Sequence, residues 1–220
     1  MSNSRILVLN PNSDRGCTET IRASLRPFAL PGGPRLEVET LHDGPPAIRT
    51  WRDWHAVAEP LAQRVEAAEA EAEPPAAYVI ACVSDPAIDL LRSLTRRPVF
   101  GALRSGIAAA VARAGRFGLV AFVEASVQRQ ERVLQALGLE ARSVGSIPLN
   151  LAMAELLDED APRARLVEVA RELRRRGAES VVLGCAGMAG HRRFLEEAVG
   201  LPVIEPCQAA AAQAVLSCAG

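Results

Sequence analysis

Val181-Val182-Leu183-Gly184-Cys185 is a short apolar run that stops on a cysteine, and Tyr78-Val79-Ile80-Ala81-Cys82 is a second one. Both have strand length and the near-continuous apolar character of a strand buried on both faces. After each comes a helix-length stretch and then a Pro-Val pair, Pro98-Val99-Phe100 and Pro202-Val203-Ile204. Alanine-rich segments follow both pairs, 107–112 and 209–215. The near-repetition predicts two similar half-molecules. If the halves face each other, the two thiols do so as well. Opposed thiols are suited to taking a proton from one side of a carbon and returning one to the other.

The same alternation extends outward in both directions. Strands are expected at 5–10, 35–41, 77–82, 98–100, 117–123, 141–147, 180–184 and 202–204. Helices are expected at 14–29, 51–73 with a division at Pro60, 87–95, 104–114, 126–137, 163–176, 190–199 and 205–219. Strand-helix alternation predicts an α/β fold: two similar lobes, each a mainly parallel sheet flanked by helices. Right-handed crossovers put all strand carboxyl ends on one edge. A ligand is expected in the crevice there, between the lobes. Asn10, Cys82, Cys185 and the residues after Val120 fall at that edge. No linker separates the halves, so their interface is expected to be tight.

Composition narrows the function. The chain has 220 residues, 49% of them hydrophobic, enough for a sizeable core. A formal net charge of -1 removes the electrostatic case for nucleic acid or a membrane surface. No apolar stretch is long enough for a bilayer, and the N-terminus enters a strand pattern at once. A soluble, cytoplasmic protein is expected. The chain contains no lysine, so Schiff-base chemistry and a P-loop lysine are excluded. Cys17, Cys82, Cys185, Cys207 and Cys218 form an odd set without a secretory signal, which argues against a disulfide framework. His42, His55 and His191 are scattered, and neither Cys-x-x-Cys nor His-Glu-x-x-His occurs, so no metal site is expected. The glycines of 184–190 do not have the Gly-x-Gly-x-x-Gly spacing, so no dinucleotide site is expected.

Two strand-to-helix turns carry the chemistry, Cys82-Val83-Ser84-Asp85-Pro86 and Cys185-Ala186-Gly187-Met188. Backbone N–H groups at a helix start carry partial positive charge and lower the pKa of a nearby thiol. They also stabilise an oxyanion or enolate. Cys17, Cys207 and Cys218 lack that setting and read as small buried hydrophobes. Asn10-Pro11-Asn12-Ser13-Asp14 is a tight polar turn, either a helix cap or a set of amides for a substrate.

These residues together resemble the aspartate/glutamate/hydantoin racemase superfamily. The matching pieces are Ile6-Leu7-Val8-Leu9-Asn10-Pro11-Asn12-Ser13, Ala81-Cys82-x-Ser84-Asp85-Pro86, Pro98-Val99-x-Gly101, Leu183-Gly184-Cys185-Ala186-Gly187-Met188 and Pro202-Val203-Ile204. The first and fourth most resemble the hydantoin and allantoin racemase branch. The resemblance implies no cofactor, a small-molecule substrate, a homo-oligomer, and one catalytic thiol per lobe at Cys82 and Cys185. It also implies a discontinuous first lobe, 1–99 plus 205–220, with 100–204 as the second. Asn10, Val83, Ser84, Arg104, Phe122, Ala186 and Gly187 are the expected substrate-binding residues. Asn10 and Ala186 replace the acid and histidine of the amino-acid racemase branch. That points to a more acidic carbon than a free amino acid offers, such as C5 of a hydantoin. Arg104 and Phe122 depart from the branch pattern, and Arg104 would suit a carboxylate. Two alternatives stay open: a maleate isomerase or arylmalonate decarboxylase-like enzyme on a small dicarboxylate, and an inert metabolite-binding or accessory member of the same fold.

Overall fold

The computed structural model describes residues 4–218. In chain order the elements are β1 (Arg5–Asn10), α1 (Arg15–Leu25), β2 (Arg35–Thr40), α2 (Trp51–Ala56), α3 (Ala58–Glu69), β3 (Ala77–Ile80), α4 (Ile88–Leu94) and β4 (Val99–Gly101). Then come α5 (Ala102–Arg113), β5 (Phe117–Ala121), α6 (Glu124–Leu137), β6 (Ser143–Pro148), α7 (Met153–Leu157), α8 (Arg163–Arg175), β7 (Ser180–Gly184), α9 (Arg192–Val199), β8 (Val203–Ile204) and α10 (Pro206–Ser217). The strands form two four-stranded sheets, ordered β2-β1-β3-β4 and β6-β5-β7-β8. Every pairing is parallel. The two orders are the same pattern, so β3 and β7, which lead into Cys82 and Cys185, hold equivalent places.

The inner strands β1, β3, β5 and β7 are covered on both faces, which is why they are almost wholly apolar and buried. Successive residues alternate between two layers. In β1, Ile6 and Val8 face a central core while Leu7 and Leu9 face a layer under α3 and α4. In β7, Val182 joins the central core while Val181 and Leu183 face the layer under α8 and α9. The central core joins residues of both sheets, Val79 and Phe117 among them, through Ile21 of α1, Ile107 of α5 and Ala210 of α10. A continuous core between the sheets makes the junction tight.

The differences from expectation are local. Pro60 lies in the first turn of α3, where its missing N–H costs nothing, and the helix break falls at Val57 instead. A short helix, Met153–Leu157, was not expected. The stretch 186–191 forms a 3₁₀ turn before α9. β4 pairs with β3 and runs to Gly101, one residue past the expected end of that strand at Phe100. Helix α10 returns to pack on α1, β3 and β4 as well as on α5. Ala219, the expected end of the last helix, lies outside the described residues.

Candidate active site

Cys82 and Cys185 line one small cavity, together with Asn12, Cys17, Ile48, Ala81, Val83, Ser84, Phe122, Ser126, Arg129, Met153, Gly184 and Ala186. The cavity encloses about 30 Å³. That is room for roughly two water molecules. It lies where the strand order turns, beside the ends of β1 and β3 on one side and β5 and β7 on the other, as expected for a parallel sheet.

The Cys82 loop is held in an uncommon shape. Asp85 and Ala87 both adopt left-handed backbone, with φ of 45° and 59°. Non-glycine residues there cost on the order of 1–3 kcal/mol each, and only surrounding contacts keep them so. Those contacts are specific. The Asp85 carboxylate accepts the backbone N–H groups of Leu103 and Arg104 at 2.8 and 3.0 Å, capping α5 from outside it. It also pairs with the Arg104 guanidinium at 3.1 Å. Gly101 leaves the space for it: a Cβ there would lie 2.5 Å from both carboxylate oxygens. Trp54 Nε1 donates to Ser84 O at 3.0 Å, pinning the loop from α2.

The two thiols have parallel surroundings. Cys82 Sγ contacts Ser84 Oγ at 3.4 Å and receives the Ser84 backbone N–H. Cys185 receives the backbone N–H of Gly187. In each case the donor lies two residues after the cysteine. The expected lowering of the thiol pKa is reversed, however. Burial pushes both thiols above the usual 9, Cys185 well above, and outweighs those donors. Helix α4 starts only at Ile88, and a 3₁₀ turn follows Cys185, so neither sulfur sits on the N-terminus of a regular α-helix. The neighbours differ. Cys82 senses the cation of Arg129, which favours its thiolate, and Asp85, which opposes it, whereas Cys185 senses Cys17, Cys82 and Glu205, which all disfavour one.

Of the expected binding residues, Val83, Ser84, Phe122 and Ala186 line the cavity with the thiols. Gly187 contributes through its N–H to Cys185. Asn10 and Arg104 are placed elsewhere. Asn10 is fully buried and spends its amide bracing the first turn, on Asn12 Oδ1 at 3.0 Å and Thr18 Oγ1 at 2.9 Å. Arg104 is drawn away by the buried Asp85 and lines a neighbouring cleft with Trp51, Trp54 and His55. Asn12, Cys17 and Arg129 are among the lining residues outside the expected set. Cys17 is 1% exposed, and burial pushes its thiol up to about 12. Arg129 lies in the polar run Gln128-Arg129-Gln130-Glu131-Arg132, which reads as a solvated helix face. Yet Ser126, Arg129 and Gln130 are all buried, a polar stripe at i, i+3, i+4 facing the junction. Among the described residues, no group of three or more His, Cys, Asp or Glu is arranged to hold a metal ion.

Residues 6–214 match the family model described as Asp/Glu/Hydantoin racemase. The chain belongs to that racemase family. A hydantoin racemase of Paenarthrobacter aurescens is 38% identical, over 94% of this chain and 87% of its own length. The solved structure of an allantoin racemase from Klebsiella pneumoniae superposes with a TM-score of 0.88 at 28% identity, covering 96% of this chain and 86% of that one. An allantoin racemase from Pseudomonas fluorescens gives 0.85 at 27% identity, over 96% and 88% of the two chains. The family expected from the motifs is therefore the family found, and its α/β architecture with paired parallel sheets is the one observed.

Proposed function

We propose that this family member is a cofactor-independent racemase of a 5-substituted hydantoin or a related cyclic ureide, with Cys82 and Cys185 as its acid-base pair. One observation carries the reading: both free thiols line the same cavity from equivalent strands of the two sheets. One sulfur, as thiolate, removes the proton on the asymmetric carbon. The C–H electron pair moves into the ring and becomes an enolate. The other sulfur, as thiol, gives its proton to the opposite face, and the electron pair returns to carbon. For the other enantiomer the roles exchange.

Burial disfavours both thiolates, so little of the base form is present at neutral pH and a carbon acid that ionises readily suits the site. A hydantoin C5–H meets that need better than the Cα–H of a free amino acid, because the adjacent carbonyl and ring delocalise the charge. Arg104, the residue that made a dicarboxylate attractive, is paired with Asp85 outside the cavity, which supports the ureide reading. A homo-oligomer, a cytoplasmic location and the lobes 1–99 plus 205–220 and 100–204 belong to the same proposal, carried by the family resemblance. Light scattering on the purified chain reads the subunit number.

The test is proton NMR in D₂O with a panel of 5-substituted hydantoins, allantoin, amino acids and maleate. Loss of the C5–H signal together with loss of optical rotation is expected for a hydantoin or allantoin. Conversion of maleate alone, or no exchange in any compound, would overturn the proposal.

A further inference from the structure

The enolate formed in the proposed reaction needs a donor, and the backbone N–H groups of Ser84 and Gly187 also serve the two sulfurs, whose thiolates they favour. Asn12 Nδ2 points to Cys17 Sγ at 3.8 Å, and Ser84 Oγ is engaged by Cys82. Arg129 offers a charged donor. Its side chain lines the cavity, and the residue is 2% exposed. Nη2 donates to Ile48 O at 3.3 Å and to Ser126 Oγ at 3.1 Å. Nε and Nη1 are buried with no acceptor.

An arginine stays charged in a protein, and a buried cation without an anion is costly. The protein supplies little compensation. The Trp51 ring lies 5.7 Å from the guanidinium carbon. Asp53 acts on it only through space, because the Asp53 carboxylate is engaged by the N–H groups of Arg49 and Thr50. Cys82 also senses the cation through space, and no hydrogen bond joins the two side chains. The guanidinium thus stands near the base with N–H groups free and a cavity beside them.

We propose that Arg129 is a catalytic residue, whose free N–H groups bind the substrate's carbonyl oxygen next to Cys82 and hold the negative charge that gathers there as the enolate forms. This rests on the racemase reading above and adds the oxyanion partner to it. As Cys82 takes the proton, the C–H electrons flow to that oxygen. As Cys185 returns a proton to the opposite face, the charge leaves the oxygen and Cys185 becomes the thiolate. Arg129 itself keeps all its protons throughout. The charge it serves exists only in the transition state and the intermediate, so its effect falls on kcat more than on KM.

Replacing one preorganised oxyanion donor lowers kcat by about 10²–10³-fold. Arg129→Gln is expected to lose that much in hydantoin α-proton exchange, with KM changed less than tenfold. Arg129→Lys is expected to recover at least tenfold of the loss, and added guanidinium ion to restore part of the activity of Arg129→Ala. A second readout needs no substrate. The rate of Cys82 alkylation against pH should move to higher pH in Arg129→Gln, because the cation favouring the thiolate is gone. Arg129→Gln within threefold of the parent kcat would overturn the inference. So would equal losses in the Gln and Lys variants with no guanidinium rescue and an unmoved alkylation profile. If the parent protein exchanges no hydantoin at all, the racemase reading fails, and the alkylation profile alone then decides whether Arg129 acts on Cys82.

Discussion

Replacing Gly101 with alanine tests how the Cys82 loop is held. The added Cβ would sit 2.5 Å from both Asp85 carboxylate oxygens, where ordinary contact begins near 3.4 Å. The neighbour is no flexible chain end, because the carboxylate is fixed by Leu103 and Arg104. A retreat of about 0.9 Å restores contact distance, which stretches bonds of 2.8 and 3.0 Å to beyond 3.5 Å, outside hydrogen-bonding range. Each bond to a charged group contributes about 1.5–3 kcal/mol. With half of that recovered by relaxation, the loss of stability is about 2 kcal/mol. The same shift moves the strained turn that carries Ser84 and Cys82, and displacements near 1 Å cost about 10²-fold in rate. Urea unfolding midpoints read the first effect, and deuterium exchange into the substrate reads the second. Gly190→Ala is the control: a Cβ there meets nothing within 4 Å, and its stability should change by less than about 0.5 kcal/mol. A Gly101→Ala protein with a loss below 1 kcal/mol and full activity would refute the reasoning, since the carboxylate would then have room that the structure denies it.

Cys185→Ser should abolish racemisation by about 10²–10⁴-fold yet leave Cys82 able to wash deuterium into one enantiomer with retention; chiral chromatography beside NMR reads this, and full racemisation by the variant would contradict the two-thiol scheme. Stability should fall in alkali, because Cys17 is raised from about 9 to about 12 in the fold. A raised pKa means its stabilisation is whole below pH 9 and is lost as pH climbs towards 12, on the order of 4 kcal/mol in all. Urea midpoints of Cys17→Ala should therefore slope less steeply from pH 9 to 11 than those of the parent, and parallel slopes would oppose the assignment. Trp54→Phe removes the 3.0 Å bond to Ser84 O and should cost about 1 kcal/mol with a lower exchange rate; unchanged stability and rate would show that α2 does not brace the loop.

Most of the architecture was legible before any coordinates. The apolar runs before Cys82 and Cys185 need both faces covered, and a strand buried on both faces in an alternating chain can only join a parallel sheet. The repeated Pro-Val pairs marked the fourth strand of each sheet, and the two-cysteine pattern marked the crevice. The short helix at 153–157 was missed because five residues carry too little periodicity to stand apart from a loop.

The amino-acid order alone determined which residues end equivalent strands, and therefore that two thiols meet at one crevice. The tertiary structure decided what each group experiences there. Cys82 and Cys185 look like activated thiols in a linear reading, but desolvation is a property of packing and raised them both. Arg104 looked free until Asp85, buried by the fold, claimed it. Nothing in the sequence singled out Arg129, which α6 turns inward. Spacing along the chain fixes order and face, whereas charge responds to the dielectric and to neighbours brought from a distance, and those exist only once the chain has folded.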